Sequence, residues 1–270
     1  MVAPVHVVAT QFIRRLRGGA QSRLMLCSDG NAYIVKFQNN PQSLRVLANE
    51  WLATQLAEML GLPVPSCAIV EVSDFLIENT RDAYIDYGQH LVPCKSGPQF
   101  GSRLVGGLLP GRTVDYLPDE RLARVVNLAS FVGILTFDKW TCNMDGRQAV
   151  FDKKGRDQPY QATFIDQGYC FGGPEWKFVD APLRGVYAKS LVYDGVTGWE
   201  SFEPWISRIE EFDPTRIAEL AATIPREWLE TDENATTFMV SHLINRRERV
   251  RELIIQFRES SRNPFPNWLR

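Results

Sequence analysis

Two aspartates, Asp145 and Asp166, each follow a predicted element of regular structure, and their order along the chain constrains the fold more than any other feature. Asp145 comes just after a predicted helix, before the next strand. Asp166 directly follows the apolar strand Thr163–Ile165, and Gly168 gives the backbone the freedom to turn. The sequence therefore predicts two carboxylates on loops that rigid elements hold, which is where groups needed for chemistry belong.

The overall composition excludes several classes of protein. The chain has 270 residues, 44% of them hydrophobic, which is enough for one large domain or two lobes. A net charge of -2 gives no reason to expect DNA as a partner, and since no apolar run reaches about 18 residues, we expect no membrane span. The five cysteines form no CxxC pair, which is typical of reduced thiols and predicts a cytoplasmic protein.

The N-terminal part of the sequence predicts an antiparallel sheet with one helix. Two strand candidates flank Asp29-Gly30, a dipeptide typical of hairpin turns, and a third precedes them. Apolar residues then recur at helical spacing from Leu44 to Leu60, and Gly61 ends that pattern. Residues 68–72 follow as another strand, so the predicted order is β-β-β-α-β.

Beyond this region, glycines and prolines punctuate residues 93–113, which predicts a connector with one short strand at Phe100–Leu104. A long helix over 119–142, a strand pair at 148–152 and 162–165, and several further helices are predicted next.

We therefore predict an α+β fold of two lobes. Residues 1–100 form the first lobe, 101–113 the hinge, and 114–270 a mostly helical second lobe.

The first candidate for chemistry is a turn of small residues between the first two strands. It consists of Gly18, Gly19, Ala20, Gln21 and Ser22. Small residues let backbone N–H groups approach a phosphate closely. An ordinary β-turn is the alternative, and it is the better interpretation of this turn taken alone.

Lys36 and Glu50 form the second candidate. Strand alternation places Tyr33, Val35 and Phe37 on one face, and Lys36 on the other. From there Lys36 could bridge the α- and β-phosphates of a nucleotide, or it could be an edge-strand lysine that opposes aggregation. Glu50 lies at the margin of the helix's apolar stripe, where it could pair with Lys36 or face solvent.

Two aspartates compete for the role of base. Asp145 lies on a loop, whereas Asp138 lies inside the predicted helix, although Asn143 follows Asp138 at the spacing of ordinary protein kinases. We prefer Asp145 because a base inside a helix is geometrically awkward. If Asp145 is the base, Val150 stands at the position where kinases usually have their metal-binding asparagine. Gln148 or Asn143 would then join Asp166 as a metal ligand.

Taken together, glycine turn, strand lysine, helix glutamate, loop aspartate and strand-end aspartate occur in the order of a phosphotransferase. The predicted catalytic residues are Asp145, Lys36 and Glu50. The predicted metal ligands are Asp166, Gln148 and Asn143. The residues predicted to bind the nucleotide are Gly18, Gly19, Ala20, Gln21, Ser22, Lys36, Phe100, Gly101, Ser102, Arg103 and Leu104.

These motifs resemble those of the HipA-like kinases over roughly residues 15–175. The runs 137–145 and 166–172 also resemble the secreted Golgi casein kinases, and 143–145 is more remotely similar to the type II phosphatidylinositol kinases. In all three resemblances the catalytic aspartate falls on Asp145, and Asp138 becomes a structural acid.

The resemblance to HipA-like kinases implies a bilobed, protein-kinase-like fold that binds ATP and Mg²⁺ between its lobes. It also implies transfer of phosphate to a serine or threonine of a protein substrate, and some members have an antitoxin partner. The chain departs from the family where Arg147 replaces a common histidine and where the metal-binding asparagine is missing. A kinase of a small molecule or lipid head group, and an impaired nucleotide-binding or scaffold protein, are the alternatives.

Overall fold

A computed structural model of the protein describes residues 5–108, 111–155, 157–229 and 233–269. Its N-terminal part forms, in order, β1 (His6–Arg15), β2 (Arg23–Cys27), β3 (Ala32–Lys36), α1 (Arg45–Met59), β4 (Cys67–Val72), α2 (Asp74–Glu78), β5 (Tyr84–Asp86), β6 (Leu91–Pro93) and β7 (Gly97–Arg103). Strands β1, β2, β3, β7 and β4 close into a barrel in that order, and β5 pairs with β6 as a separate hairpin.

The barrel differs from the predicted antiparallel sheet because β1 pairs in parallel with β4, with His6 aligned to Ile69. The other neighbouring strands of the barrel are antiparallel. Strand β7, predicted as part of a connector, is a central strand bonded to both β3 and β4. The predicted division after residue 100 falls inside this strand. The N-terminal part also contains a second, short helix, α2, where the sequence predicted only one helix.

The interior of the barrel confirms the predicted alternation of β3. Tyr33, Val35 and Phe37 are buried in the barrel core. Lys36 is on the opposite face of β3, where helix α1 covers the outside of the barrel. The strand thus points its apolar side chains inward and its lysine at the helix.

The C-terminal part contains β8 (Thr113–Val114), α3 (Asp119–Leu122), α4 (Ser130–Trp140), β9 (Gln148–Asp152), β10 (Gln161–Ile165), α5 (Trp205–Glu210), α6 (Pro214–Ala221), α7 (Glu233–Arg246) and α8 (Val250–Arg258). Short 3₁₀ helices lie between several of these elements. Strands β8, β9 and β10 form a small sheet with β9 in the middle.

The prediction of one long helix over 119–142 is wrong. The chain between α3 and α4 instead forms hydrogen bonds to β10 and to the residues just before it. The Asn127 side chain donates to the Ala162 carbonyl and accepts from the Ala162 N–H, both at 2.9 Å. The Val126 N–H also bonds to the Tyr160 carbonyl. These tertiary bonds outweigh the helical pattern of the local sequence.

Helix α1 packs into the larger of two hydrophobic cores, together with α4 and the C-terminal helices. The Trp51 indole N–H of α1 donates to the Thr223 hydroxyl at 2.8 Å, and the Trp51 ring meets Trp228 edge to face. Helix α1 therefore joins the barrel to the C-terminal part. Among the helices in the described ranges, none is long and apolar enough to cross a bilayer.

Candidate active site

Lys36 is the centre of a charged cluster between the barrel and the small sheet. Its Nζ atom lies 2.7 Å from Oδ1 of Asp166 and also bonds to Oε1 of Glu50. Lys36 and Glu50 are buried, whereas the Asp166 side chain is 34% exposed. The structure thus brings together three residues that the sequence predicted as site residues, with one carboxylate open to a ligand.

The two carboxylates keep the lysine charged. Burial by itself would lower the pKa of Lys36, but the attraction of Glu50 and Asp166 outweighs it, and the pKa is raised. Burial likewise favours the protonated form of Asp166, but the ammonium of Lys36 outweighs burial and lowers the pKa of Asp166. At neutral pH the cluster therefore contains a charged lysine and an ionised aspartate.

Asp166 has a left-handed backbone conformation, with φ of 63°. Such angles are uncommon for residues other than glycine and concentrate at functional sites, where the surroundings hold them. Its second carboxylate oxygen, Oδ2, accepts a hydrogen bond from Nε2 of Gln148 at 3.1 Å. That bond leaves the amide oxygen of Gln148 available beside the carboxylate.

Asp138, the alternative base, is locked in the protein interior. It is 1% exposed, and both of its carboxylate oxygens bond to the guanidinium of Arg147, at 2.5 and 2.9 Å. The Asn143 amide also donates to it, at 3.0 Å. A carboxylate held in this way cannot reach a substrate hydroxyl, so the structure argues against the register that makes Asp138 the base.

Asp145, the preferred base, is exposed on the loop between α4 and β9. Its Oδ1 accepts from the Gly146 N–H at 2.7 Å. Its backbone carbonyl accepts from the Gly185 N–H at 2.9 Å. Its backbone is therefore fixed on two sides while the carboxylate faces solvent.

Asn143 differs from its predicted role as a metal ligand. It is buried, its Nδ2 donates to Asp138, and its Oδ1 accepts from the Asp145 N–H at 3.0 Å. These bonds shape the loop that carries Asp145 and engage both ends of the Asn143 amide, which leaves Gln148 as the amide that contacts Asp166.

Asp166 and Gln148 fit a magnesium site of the kind that nucleotides complete. Mg²⁺ prefers oxygen ligands and commonly takes one or two carboxylates, with phosphates and waters filling the remaining positions. No group of three or more His, Cys, Asp or Glu side chains that could hold a metal occurs among the described residues. One open carboxylate and one amide oxygen suit an ion that arrives with a nucleotide.

The glycine turn is tied to the β5–β6 hairpin. The Gln21 side chain donates to the Asp86 carbonyl at 2.6 Å and accepts from the Asp86 N–H at 2.9 Å. The Gln21 N–H donates to the Gly18 carbonyl, so it is used inside the turn. Gly18 has a φ of 128°, a backbone conformation that residues other than glycine rarely adopt.

The predicted adenine-binding stretch lies on β7 and the residue after it. Phe100 is directly opposite Lys36 in the antiparallel register. Gly101 faces the barrel interior instead, since an added Cβ would lie 2.4 Å from Val70, so its small size serves packing. Arg103 is exposed and bonds to Asn31, and the Leu104 N–H donates to the Ala32 carbonyl. Phe100 is buried in the larger hydrophobic core, and contact of Phe100 or its same-face neighbour Ser102 with a nucleotide stays a prediction.

Sequence reasoning missed the structural role of Arg147. Besides Asp138, its guanidinium bonds to the Ile165 carbonyl at 2.8 Å and to Gln167 Oε1 at 2.9 Å. It therefore ties the Asp145 loop to the strand end that carries Asp166. The only sequence signal was its position two residues after Asp145, where the resembling kinases commonly have histidine.

Comparisons with known proteins relate the sequence and the fold of the chain to kinases. A family model described as HipA-like kinase matches residues 9–154, more than half of the chain. No curated protein was found to match the sequence significantly.

Solved structures of known proteins share the fold. The proinflammatory kinase CtkA of Helicobacter pylori has a TM-score of 0.60 at 12% identity, and the match covers 96% of this chain and 100% of that one. A Golgi casein kinase with Mn/ADP bound has a TM-score of 0.55 at 13% identity, covering 96% and 74%. Hydra Fam20 with sugar has a TM-score of 0.51 at 11% identity, covering 97% and 88%. At such identities the likeness establishes the fold alone.

Proposed function

Because the chain belongs to the HipA-like kinase family, we propose that it is an ATP- and Mg²⁺-dependent kinase that phosphorylates serine or threonine hydroxyls of a protein. The observation that carries the proposal is the contact of Lys36 with both Glu50 and Asp166. A buried, charged lysine beside an open carboxylate suits a triphosphate and its metal ion. In this proposal ATP lies between the barrel and the C-terminal part, as in a bilobed kinase.

The lysine and the turn bind the nucleotide. Lys36 holds the α- and β-phosphates, and Glu50 fixes the direction of its ammonium group. The glycine turn covers the phosphates with its backbone N–H groups other than that of Gln21, which bonds to the Gly18 carbonyl. These interactions position the γ-phosphate and neutralise its charge, which are the main sources of rate in phosphoryl transfer.

The two aspartates have separate roles. Asp145 orients the acceptor hydroxyl and accepts its proton, since its carboxylate is exposed and its backbone is fixed. Asp166 and Gln148 hold the metal. A bound Mg²⁺ ion would neutralise charge on the transferring phosphoryl group.

Incubation with γ-labelled ATP and Mg²⁺ tests the proposal. We expect label on the protein itself or on an added protein substrate, and its loss in Asp145→Ala. Turnover only when a metabolite or lipid head group is added would instead support the small-molecule alternative. Nucleotide binding without any turnover would support the impaired protein, because Val150 stands where the usual metal-binding asparagine would be. An antitoxin-like partner stays a prediction of the family resemblance.

A further inference from the structure

The side chain of Asn49 is buried next to Glu50 on α1, and it gathers the segment that follows Asp166. Its Nδ2 donates to the carbonyls of Gly168, Cys170 and Gly173, at 2.8, 3.1 and 3.3 Å. Its exposed fraction is 0%, so water cannot replace these bonds. One carboxamide therefore holds three successive parts of the segment 167–176.

Trp176 closes this arrangement from the other end of the segment. Its indole N–H donates to Oδ1 of Asn49 at 2.7 Å, and the guanidinium of Arg45 lies 4.7 Å from the centre of its ring. With these bonds, both the amide oxygen and the amide nitrogen of Asn49 are used. We call the pair Asn49 and Trp176 the clasp.

The segment held by the clasp has an unfavourable backbone. Phe171 and Trp176 have φ of 62° and 53°, in addition to the 63° of Asp166. Bulky residues avoid this region, and such angles persist only where surrounding contacts determine them. The segment thus depends on its contacts for its conformation: those with α1, and the backbone bonds from Phe171 and Gly172 to the carbonyls of Thr141 and Cys142.

The same turns of α1 contact the charged cluster. Glu50 Oε2 accepts from the Gln167 N–H at 3.0 Å, one residue after Asp166. Gly168 lies so close to the helix that an added Cβ would be 2.7 Å from Val46. Helix α1 therefore holds both the partner of Lys36 and the segment that begins at Asp166.

We propose that Asn49 is a positioning residue that, together with Trp176, fixes Asp166 relative to the Lys36–Glu50 pair. The proposal rests on the proposed function, because it assigns the clasp to the metal side of the nucleotide site. Loss of the clasp would let segment 167–176 relax from its strained backbone and carry Asp166 away from Lys36. The affinity for the metal ion would fall more than the affinity for the nucleotide, since Glu50 would still hold Lys36.

Two variants and one matched control test this role. Asn49→Ala removes the carboxamide, and Trp176→Phe keeps the ring while removing only the N–H. Thr54→Val is the control, because Thr54 is also a buried polar residue of α1 but lies beyond the clasp. The readouts are amide hydrogen exchange across 167–176 and the Mn²⁺ concentration that half-saturates the protein in the presence of ADP.

We expect Trp176→Phe to speed exchange in 167–176 by about tenfold, the effect of losing one buried hydrogen bond. Asn49→Ala should speed it further, because it removes all four bonds of the carboxamide. We also expect the half-saturating Mn²⁺ concentration to rise by about tenfold, as when groups that orient metal ligands are removed. Metal-free ADP affinity should change by less than about twofold, because the Lys36–Glu50 pair is intact. Thr54→Val should match the wild type in all three measurements: amide exchange, Mn²⁺ half-saturation and metal-free ADP affinity.

Two results would overturn the proposal in different ways. If the wild type binds Mn²⁺ and ADP, and the clasp variants lose thermal stability while keeping wild-type Mn²⁺ half-saturation, then Asn49 is structural and only the positioning role fails. If the wild type binds no nucleotide with or without Mn²⁺, the proposed function itself fails, and the clasp's role in it fails too.

Discussion

The Nζ atom of Lys36 lies 2.7 Å from Oδ1 of Asp166, although 130 residues separate the two in the sequence. One side chain belongs to the barrel and the other to the end of a strand in the small sheet. The ion pair therefore joins the two parts of the chain at one point. Glu50, on the helix between them, binds the same ammonium group.

Replacing Lys36 tests how much its positive charge stabilises this cluster. We expect Lys36→Met to destabilise the protein by about 3 kcal/mol, because it leaves the buried carboxylate of Glu50 without its counter-charge. Adding Glu50→Gln should recover most of that loss, since a neutral amide needs no counter-charge. Urea unfolding of the wild type and the two variants measures this, and a double variant no more stable than Lys36→Met would contradict the account.

The two candidate bases should respond in opposite ways to substitution by asparagine. Asp145→Asn should leave stability within about 0.5 kcal/mol of the wild type, because the side chain is exposed. It should lower turnover by at least about a hundredfold, because the proton acceptor is lost. Asp138→Asn should cost about 3 kcal/mol, because Arg147 then keeps a buried, uncompensated charge.

Parallel measurements of unfolding and of phosphoryl transfer separate these effects. A folded Asp138→Asn protein without activity, beside an active Asp145→Asn protein, would show that the register is wrong.

Gln148→Ala should weaken the metal site specifically. The Gln148 amide nitrogen donates to Asp166, and among the described residues no side chain donates to its amide oxygen. Its loss should raise the Mg²⁺ concentration for half-maximal activity by about three- to tenfold. Gln161→Ala, also an exposed glutamine but at the start of β10, is the matched control. Equal Mg²⁺ dependence in the two variants would remove Gln148 from the site.

Lys139 predicts a rise in stability with pH. Its ammonium is buried and donates to the carbonyls of Pro182 and Arg184, and burial lowers its pKa to about 8, from 10.5. Between these two values the unfolded chain binds more protons than the folded one, so stability contributed by this group increases as pH rises through that window. Below pH 8 both states are protonated and the dependence vanishes.

Comparison with Lys139→Met isolates this effect. The difference in unfolding free energy between wild type and variant should shift in favour of the wild type from about pH 8 to 10, by at most a few kcal/mol. Denaturant titrations at several pH values measure it. A difference that stays constant, or that changes in the opposite direction, would contradict the assignment.

The local parts of the site could be predicted from the sequence. Strand alternation gave the direction of Lys36, and helical spacing placed Glu50 at the margin of the buried face, so their ion pair followed from two short patterns. The hairpin around Asp29-Gly30 was predictable for the same reason, because its turn chemistry is local.

The long-range parts could not be predicted in this way. The parallel pairing of β1 with β4 closes the barrel, and nothing in either strand encodes its partner. The break between α3 and α4 depends on bonds from Asn127 to Ala162, 35 residues away. The burial of Asn143 and the Arg147–Asp138 pair depend on the folded loop in the same way.

One missed residue did leave a signal in the sequence. Asn49 is a polar residue on the apolar stripe of α1, with Val46 and Leu52 three residues to either side. Such a residue at a buried position needs partners, and the segment after Asp166 supplies them.

The most direct test of the account measures ADP binding with and without Mg²⁺, in the wild type and in Asp166→Asn, by titration calorimetry. If Lys36 and Asp166 meet at one nucleotide–metal site, Mg²⁺ should tighten ADP binding to the wild type by about tenfold or more, and Asp166→Asn should abolish that gain. A gain of the same size in both proteins, or no ADP binding by the wild type, would contradict the account.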